Sequence, residues 1–187
     1  MVAAIAIAAA IRAPASPVTV YVQGLSVVPA VVLSRAQALA DEMFAGVNVK
    51  IDWRRGVPGR SRSWRERAIR VEMVSDTPRE RTPDALAFSL PYEGVHITVF
   101  YDRVRQRTQP DLTPILLAHV LVHEITHILE GTSGHTDRGV MKARWNEEDL
   151  LEMRQRALPF TEENIRLIAF GLAQRTGAGA LIAAIPH

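Results

Sequence analysis

Alternating apolar and polar residues predict the strands of this chain. A period of two places every second side chain on the same face, as in a strand with one buried face. Val, Ile, Tyr and Phe are common in these stretches, and such residues favour strands. The pattern predicts strands at residues 18–22, 47–53, 68–74, 85–90 and 95–101. The strand at 85–90 is a short edge strand ended by Pro91.

A helical period covers most of the remaining chain, and it predicts helices at residues 29–44, 114–130, 146–157 and 161–175. The second helix is apolar on nearly every side, so we expect it to be buried. Asp111 or Thr113 can act as its N-cap. Pro114 suits its first turn and Gly131 can end it. The order of elements predicts an α+β fold, in which this helix packs behind a mixed sheet of four to five strands.

Length and composition indicate one globular domain. The 187 residues are 48% apolar and 22% charged, which is ordinary for such a domain. We expect the domain over residues 17–176, after a signal-like or disordered segment (1–16) and before a loose tail (177–187). The apolar run in segment 1–16 is too short to span a bilayer and resembles a secretory signal without a basic start. It predicts a secreted or periplasmic protein; the alternative is a frayed N-terminal arm.

Charge narrows the choice of function only slightly. The net charge of +2 gives no general argument for nucleic acid, and we expect none to bind. Residues 54–70 contain seven arginines and a single acidic residue, Glu66. For this segment a solvated loop is favoured over a site for an acidic partner. The absence of cysteine excludes thiolate ligands, so any zinc site must use His, Asp or Glu. The sequence does not indicate an oligomeric state.

The predicted buried helix contains His123-Glu124-Ile125-Thr126-His127, which has the form H-E-x-x-H. Residues four apart lie on one face of a helix, so the two histidines can bind one zinc ion. Glu124 then lies beside the metal, where it can accept a proton from water. The motif predicts zinc-assisted hydrolysis with Glu124 as general base. Two satisfied core histidines beside an incidental glutamate are the alternative.

A catalytic zinc site normally has three protein ligands, so the third must come from outside the helix. His135 is the favoured candidate, eight residues after His127. Gly131 and Gly134 allow the chain to turn at the helix end and to return towards the metal. The competing candidates are acidic residues further along the chain: Asp137, Glu147 and Glu148.

Further residues follow the motif in a recognisable order: Gly131, His135, Gly139, Val140, Met141 and Trp145. With residues 99–103 upstream and 160–161 downstream, this pattern resembles the secreted, metzincin-like zinc metallopeptidases of bacteria. The resemblance covers roughly the second half of the chain. Metzincins usually place the third ligand six residues after the second histidine, whereas His135 lies eight after His127.

The resemblance implies a zincin-type fold, with Zn²⁺ bound by His123, His127 and His135 and with Glu124 as general base. It also implies that Met141 lies in the turn beneath the metal. The expected function is that of a zinc metalloendopeptidase acting on a peptide or protein substrate. Strand 85–90 is the candidate edge that pairs with an extended substrate.

Two other classes of function remain open. One is a non-catalytic, zinc-stabilised binding module, although a structural site has no use for Glu124. The other is a binding protein that uses the arginine-rich loop and has no enzyme activity. His119 lies on the face of His123, where an ordinary, partly buried histidine is favoured over a group that supports the site. Tyr92 and Tyr101 are both candidates for stabilising an oxyanion.

Overall fold

The computed structural model describes residues 17–58, 68–75, 85–89 and 95–175. The signal-like segment, the tail and most of the arginine-rich loop lie outside these ranges. The strands are β1 (Val18–Gln23), β2 (Ile51–Arg55), β3 (Ile69–Val74), β4 (Ala87–Ser89) and β5 (His96–Phe100). The α-helices are α1 (Ala30–Ala45), α2 (Tyr101–Arg107), α3 (Thr113–Glu130), α4 (Glu147–Gln155) and α5 (Glu162–Arg175), and a 3-10 turn covers Leu25–Val27.

The strands form one mixed sheet in the order β2-β1-β3-β5-β4. Neighbouring strands are parallel except for β4, which pairs antiparallel with β5 at the end of the sheet. Alternate residues of β1 and β3 are buried, as the period of two requires. This apolar face packs against the helical layer that contains α1 and α3. The predicted α+β fold with a mixed sheet is confirmed.

The second strand begins later than the sequence pattern predicts. After α1 the chain turns, and the amides of Val47 and Val49 both donate to the carbonyl of Phe44. Asn48 has a positive φ of 59° within this turn. Residues 47–48 therefore satisfy carbonyls at the end of α1, and strand pairing starts only at Ile51.

Helix α3 is the centre of the domain. Every residue from Leu116 to Leu129 is buried, and α1, α2, α4, α5, β4 and β5 surround the helix. The helix ends at Gly131, which has a φ of +67° and donates to His127 O. Neither predicted N-cap is used, because the chain enters α3 through a turn and the N-cap position falls on Leu112. Thr113 instead donates its hydroxyl to Gln109 O.

The starts of α4 and α5 are both held by hydrogen bonds between side chains and backbone. Asn146 and Asp149 form a capping box at the start of α4. At the start of α5, Thr161 and Asn164 exchange hydrogen bonds between side chain and backbone. Within the described ranges, no helix has the length and apolar character needed to cross a membrane.

Candidate metal centre

Three histidine side chains converge beside α3. His123 and His127 come from one face of the helix, and their Nε2 atoms lie 3.0 Å apart. His135 comes from the following loop, and its ring centroid lies 5.3 Å from that of His123 and 4.9 Å from that of His127. One nitrogen from each ring lies within 4.8 Å of the other two. The fold thus brings together the three histidines that the sequence selects as ligands.

Backbone hydrogen bonds fix the tautomers of the two helical histidines. Nδ1 of His123 lies 2.8 Å from Val140 O, and Nδ1 of His127 lies 2.9 Å from Thr132 O. A carbonyl oxygen only accepts, so each Nδ1 carries a hydrogen and each neutral ring presents a lone pair at Nε2. Two lone pairs face each other across 3.0 Å, which is unfavourable unless both bind one cation.

A proton does not suit this position near neutral pH. Burial, together with the neighbouring His127 and His135, lowers the pKa of His123 to about 3. Burial also lowers the pKa of His127 to about 4. Both rings are therefore neutral, and neutral imidazoles held by backbone carbonyls are the form that binds zinc. Three imidazoles beside an open groove fit a zinc site of the catalytic type, whereas closed structural sites have four protein ligands.

The acidic alternatives for the third ligand lie elsewhere. Among the described residues, the three histidines form the group whose ligand atoms converge, and Asp137, Glu147 and Glu148 are outside it. Glu147 instead forms an ion pair with Arg107, at 2.8 Å. Glu147 and Glu148 both lie in the first turn of α4, where acidic residues are favoured by the helix dipole.

A tight turn after His135 supports the metal centre through its backbone. Gly139 has a φ of +76°, and a Cβ on it would lie 2.3 Å from Pro159 O. The amide of Val140 donates to the same Pro159 oxygen, so the turn is held against the chain before α5. Met141 is fully buried, next to the Val140 carbonyl that orients His123. The turn thus fixes a ring of the metal centre through its backbone.

Glu124 lies between the metal centre and the edge strand. It is only 7% exposed, yet it contributes to the same groove as His123 and His127. Burial raises the pKa of its carboxyl to about 7, and a hydrogen bond from the Ser89 side chain opposes that rise. A carboxyl with this pKa can both accept and release a proton near neutral pH. The contact with Ser89 has no local signal in the sequence, because it depends on how β4 crosses α3.

His119 has a structural place. Its ring is fully buried, with Nδ1 donating to Ile115 O at 2.8 Å and Nε2 accepting from the Leu158 amide at 3.0 Å. Both ring nitrogens are thus satisfied by backbone, as the favoured interpretation expected. The Trp145 ring packs edge-on against both His119 and His123, at centroid distances of 6.2 and 5.5 Å. Tyr101 is buried and does not line the groove, and Tyr92 lies outside the described ranges.

An open groove of about 740 Å³ runs past the three histidines. One wall is formed by Ala85 and the edge strand β4, and the other by residues of the loop before α4. Leu116 and Val120 contribute apolar surface from α3. The groove gives a molecule in solvent access to the histidine cluster and to Glu124.

No family model matches this chain, and no curated protein matches it. Solved structures do share its fold. Archaemetzincin from Methanopyrus kandleri superposes with a TM-score of 0.59 at 16% identity, over 87% of this chain and 98% of that one. A zinc-dependent peptidase from Methanocorpusculum labreanum gives a TM-score of 0.54 at 12% identity, over 80% and 99%. The chain therefore shares its fold with these two proteins, and its three histidines lie in an open groove.

Proposed function

We propose that this protein is a zinc-dependent peptidase. One observation carries the proposal: two buried, neutral histidines point their Nε2 lone pairs at each other across 3.0 Å, with His135 beside them. This donor set matches zinc, and the fold shared with archaemetzincin and with a zinc-dependent peptidase supports the same assignment. His123, His127 and His135 would hold the ion through their ring nitrogens.

Zinc bound in such a site acts as a Lewis acid, which lowers the pKa of water and polarises a carbonyl. Glu124 supplies the proton transfer. Its carboxylate takes a proton from the water whose oxygen attacks the peptide carbonyl carbon. When the C–N bond breaks, the Glu124 carboxyl gives that proton to the leaving amine nitrogen. Burial assists the first step, because desolvation raises the pKa of the Glu124 carboxyl and makes its carboxylate a stronger base.

The edge strand β4 is the proposed binding site for the substrate backbone. It is the end strand of the sheet, and Ala87, Phe88 and Ser89 all line the groove that contains Glu124. An extended peptide can add to such an edge through main-chain hydrogen bonds. A substrate held in this way lies alongside the proposed catalytic carboxyl, which favours cleavage within a chain and therefore an endopeptidase.

A zinc-stabilised binding module is the weaker explanation of the same cluster. A structural site needs neither an open side nor a buried carboxyl beside the metal. Here Glu124 is buried at the cost of desolvation, although a neutral residue of similar size would fit without that cost. The groove beside it also has the volume to hold several residues of a peptide.

Hydrolysis by the zinc-loaded protein and by its Glu124→Gln variant tests the proposal. We expect the variant to keep its zinc, because the histidines are unchanged, and to lose peptide hydrolysis by several orders of magnitude. Zinc content is measured on the same samples, with a denatured-protein assay of cleavage as the control for contaminating peptidases. Turnover by Glu124→Gln close to that of the native protein would exclude Glu124 as the base.

We also propose that the protein is secreted or periplasmic. The support is the apolar run in residues 1–16, which resembles a secretory signal. Mass measurement of the N-terminus of protein isolated from its native host should show cleavage after the small residues near position 16. An intact N-terminus on protein recovered from the cytoplasm would contradict this.

A further inference from the structure

The groove beside the histidines is lined by positive side chains. Arg103, Arg107, Lys142 and Arg144 all contribute to it, whereas Glu124 is the acidic residue among its described lining. Like charges in a partly enclosed groove attract an anionic ligand more strongly than they do on an open surface. This wall is complementary to an anion, and in a peptide that anion is a carboxylate.

Two of these cations, Arg103 and Lys142, make contacts that stabilise the fold. Arg103 donates to Ala85 O at 2.8 Å and lies over the Phe100 ring, 4.8 Å from its centroid. Lys142 forms a mostly buried ion pair with Asp149, whose carboxylate also closes the capping box of α4. Moving either cation towards a ligand would cost the Ala85 carbonyl its side-chain donor or the partly buried Asp149 carboxylate its ion-pair partner.

Arg107 is held more weakly. Its ion-pair partner is Glu147, at 2.8 Å, and the two side chains are 42% and 78% exposed. Exposed pairs of this kind contribute about 0–1 kcal/mol, so a second carboxylate can displace Glu147 at little cost. Arg107 also lines a second depression, of about 430 Å³, between α2 and α4. Because Arg107 contributes to both pockets, it lies at the point where they adjoin.

We propose that Arg107 is a specificity-determining residue that binds a carboxylate of the substrate peptide, with Glu147 as the internal competitor. The inference rests on the proposed peptidase function and names its substrate class: peptides with a carboxylate near the scissile bond. An acidic side chain there fits the proposed endopeptidase, whereas a free C-terminus there would replace it with a peptidase that acts at chain ends. The guanidinium can form two parallel hydrogen bonds with either carboxylate. Binding exchanges one exposed ion pair for another inside the groove, where solvent screening is weaker.

Matched peptides test this inference. A set is made in which one Glu, or its isostere Gln, occupies successive positions, each with a free or an amidated C-terminus. At the best position we expect kcat/KM to favour the carboxylate by about tenfold, as a charged hydrogen bond provides. Arg107→Ala should bring this ratio close to one. A preference that follows Glu identifies a side chain as the ligand, and one that follows the free C-terminus identifies the terminal carboxylate.

Two further variants separate a specific contact from a general field. Arg105→Ala removes the same charge from the same helix but from an exposed side chain that does not line the groove. It should keep the native ratio. Glu147→Gln removes the competitor and should increase the ratio. Equal cleavage of all matched peptides by the native protein, or an equal fall of the ratio in the Arg105 and Arg107 variants, would overturn the inference.

A binding measurement keeps this inference separate from the proposed function. The matched peptides are labelled with a fluorophore, and their binding to the zinc-loaded Glu124→Gln variant is measured by fluorescence anisotropy. Because this variant should not cleave the peptides, the measurement reports affinity alone. Selective binding that needs Arg107, with no hydrolysis by the native protein, would support the carboxylate site and refute the peptidase. Hydrolysis of the peptides without selectivity for a carboxylate would support the peptidase and refute the carboxylate site.

Discussion

The turn at Gly139 offers a sharp test of how the backbone supports the metal centre. Gly139→Ala places a Cβ about where it would meet Pro159 O at 2.3 Å, on a residue whose φ is +76°. An L-residue at such a φ costs about 1–2 kcal/mol. The overlap is additional, because the backbone must shift to relieve it, and overpacking of this kind typically costs about 1–3 kcal/mol. The expected loss of stability is therefore about 2–5 kcal/mol.

The same shift should reach the metal. Val140 follows Gly139 directly, and its carbonyl accepts the Nδ1 hydrogen of His123 at 2.8 Å. Loss of a group that orients a ligating histidine typically weakens metal binding by about 10–100-fold. Gly139→Ala should thus lower both the free energy of unfolding and the affinity for zinc, even though no ligand is changed.

Gly56→Ala is the matched control. Gly56 has a φ of +87°, and nothing lies within 4 Å of a Cβ built on it. The Gly56→Ala variant therefore has the cost of a positive φ but no overlap of its Cβ with another atom. Gly56 also lies away from the three histidines. Urea unfolding of the zinc-free proteins and equilibrium zinc titration are measured for both variants. Equal destabilisation of the two variants, with unchanged zinc affinity in Gly139→Ala, would refute the role assigned to the turn.

Three other predictions concern the third ligand, the edge strand and a buried acid. His135→Ala should lower zinc affinity by orders of magnitude in an equilibrium titration, whereas Glu148→Ala should leave it nearly unchanged. In a crystal structure, a peptide-like inhibitor with a zinc-binding group should lie antiparallel or parallel along β4. Burial raises the pKa of Glu130 from 4.5 to about 7, although the Asn164 amide opposes this, so native stability should fall as pH rises through that interval. Glu130→Gln should remove that fall. In urea unfolding at about pH 8, the free energy of unfolding of the variant should exceed that of the native protein by about 1 kcal/mol, a small gain because the carboxyl is half exposed.

Each of these has a contrary result. The reverse ranking of His135→Ala and Glu148→Ala would make a glutamate the third ligand. An inhibitor bound only against the arginine-rich loop would remove β4 from the substrate site. The sign for Glu130 follows from its raised pKa, because the folded state then binds the proton more tightly than the unfolded chain. An unchanged pH profile in Glu130→Gln would show that its carboxyl titrates normally.

Local patterns predicted the parts of the fold that depend on local rules. The helix that contains His123 and His127 has a long apolar surface and a glycine at its end. Both signals come from residues that are close together in the sequence. The short run before Pro91 predicts an edge strand, and β4 is the end strand of the sheet. The histidines could be grouped from spacing alone, because four residues make about one helical turn.

Contacts between distant segments could not be predicted in this way. The carbonyls that orient the rings belong to Thr132 and Val140, and backbone atoms carry no residue-type signal. The approach of Ser89 to Glu124 depends on the packing of β4 against α3, and the place of Arg107 in the groove depends on the angle of α2. The late start of β2 also depends on such contacts. The amides of residues 47–48 donate to carbonyls at the end of α1 and are therefore not available for pairing in the sheet.

Metal analysis of the purified protein tests the central claim most directly. The native protein and its His127→Ala variant are dialysed against metal-free buffer, and bound metals are then measured by mass spectrometry. We expect about one zinc ion per native chain and little in the variant, because the two facing Nε2 atoms require a shared cation. A native protein that neither retains zinc nor takes it up, or a variant that binds it equally well, would contradict this account.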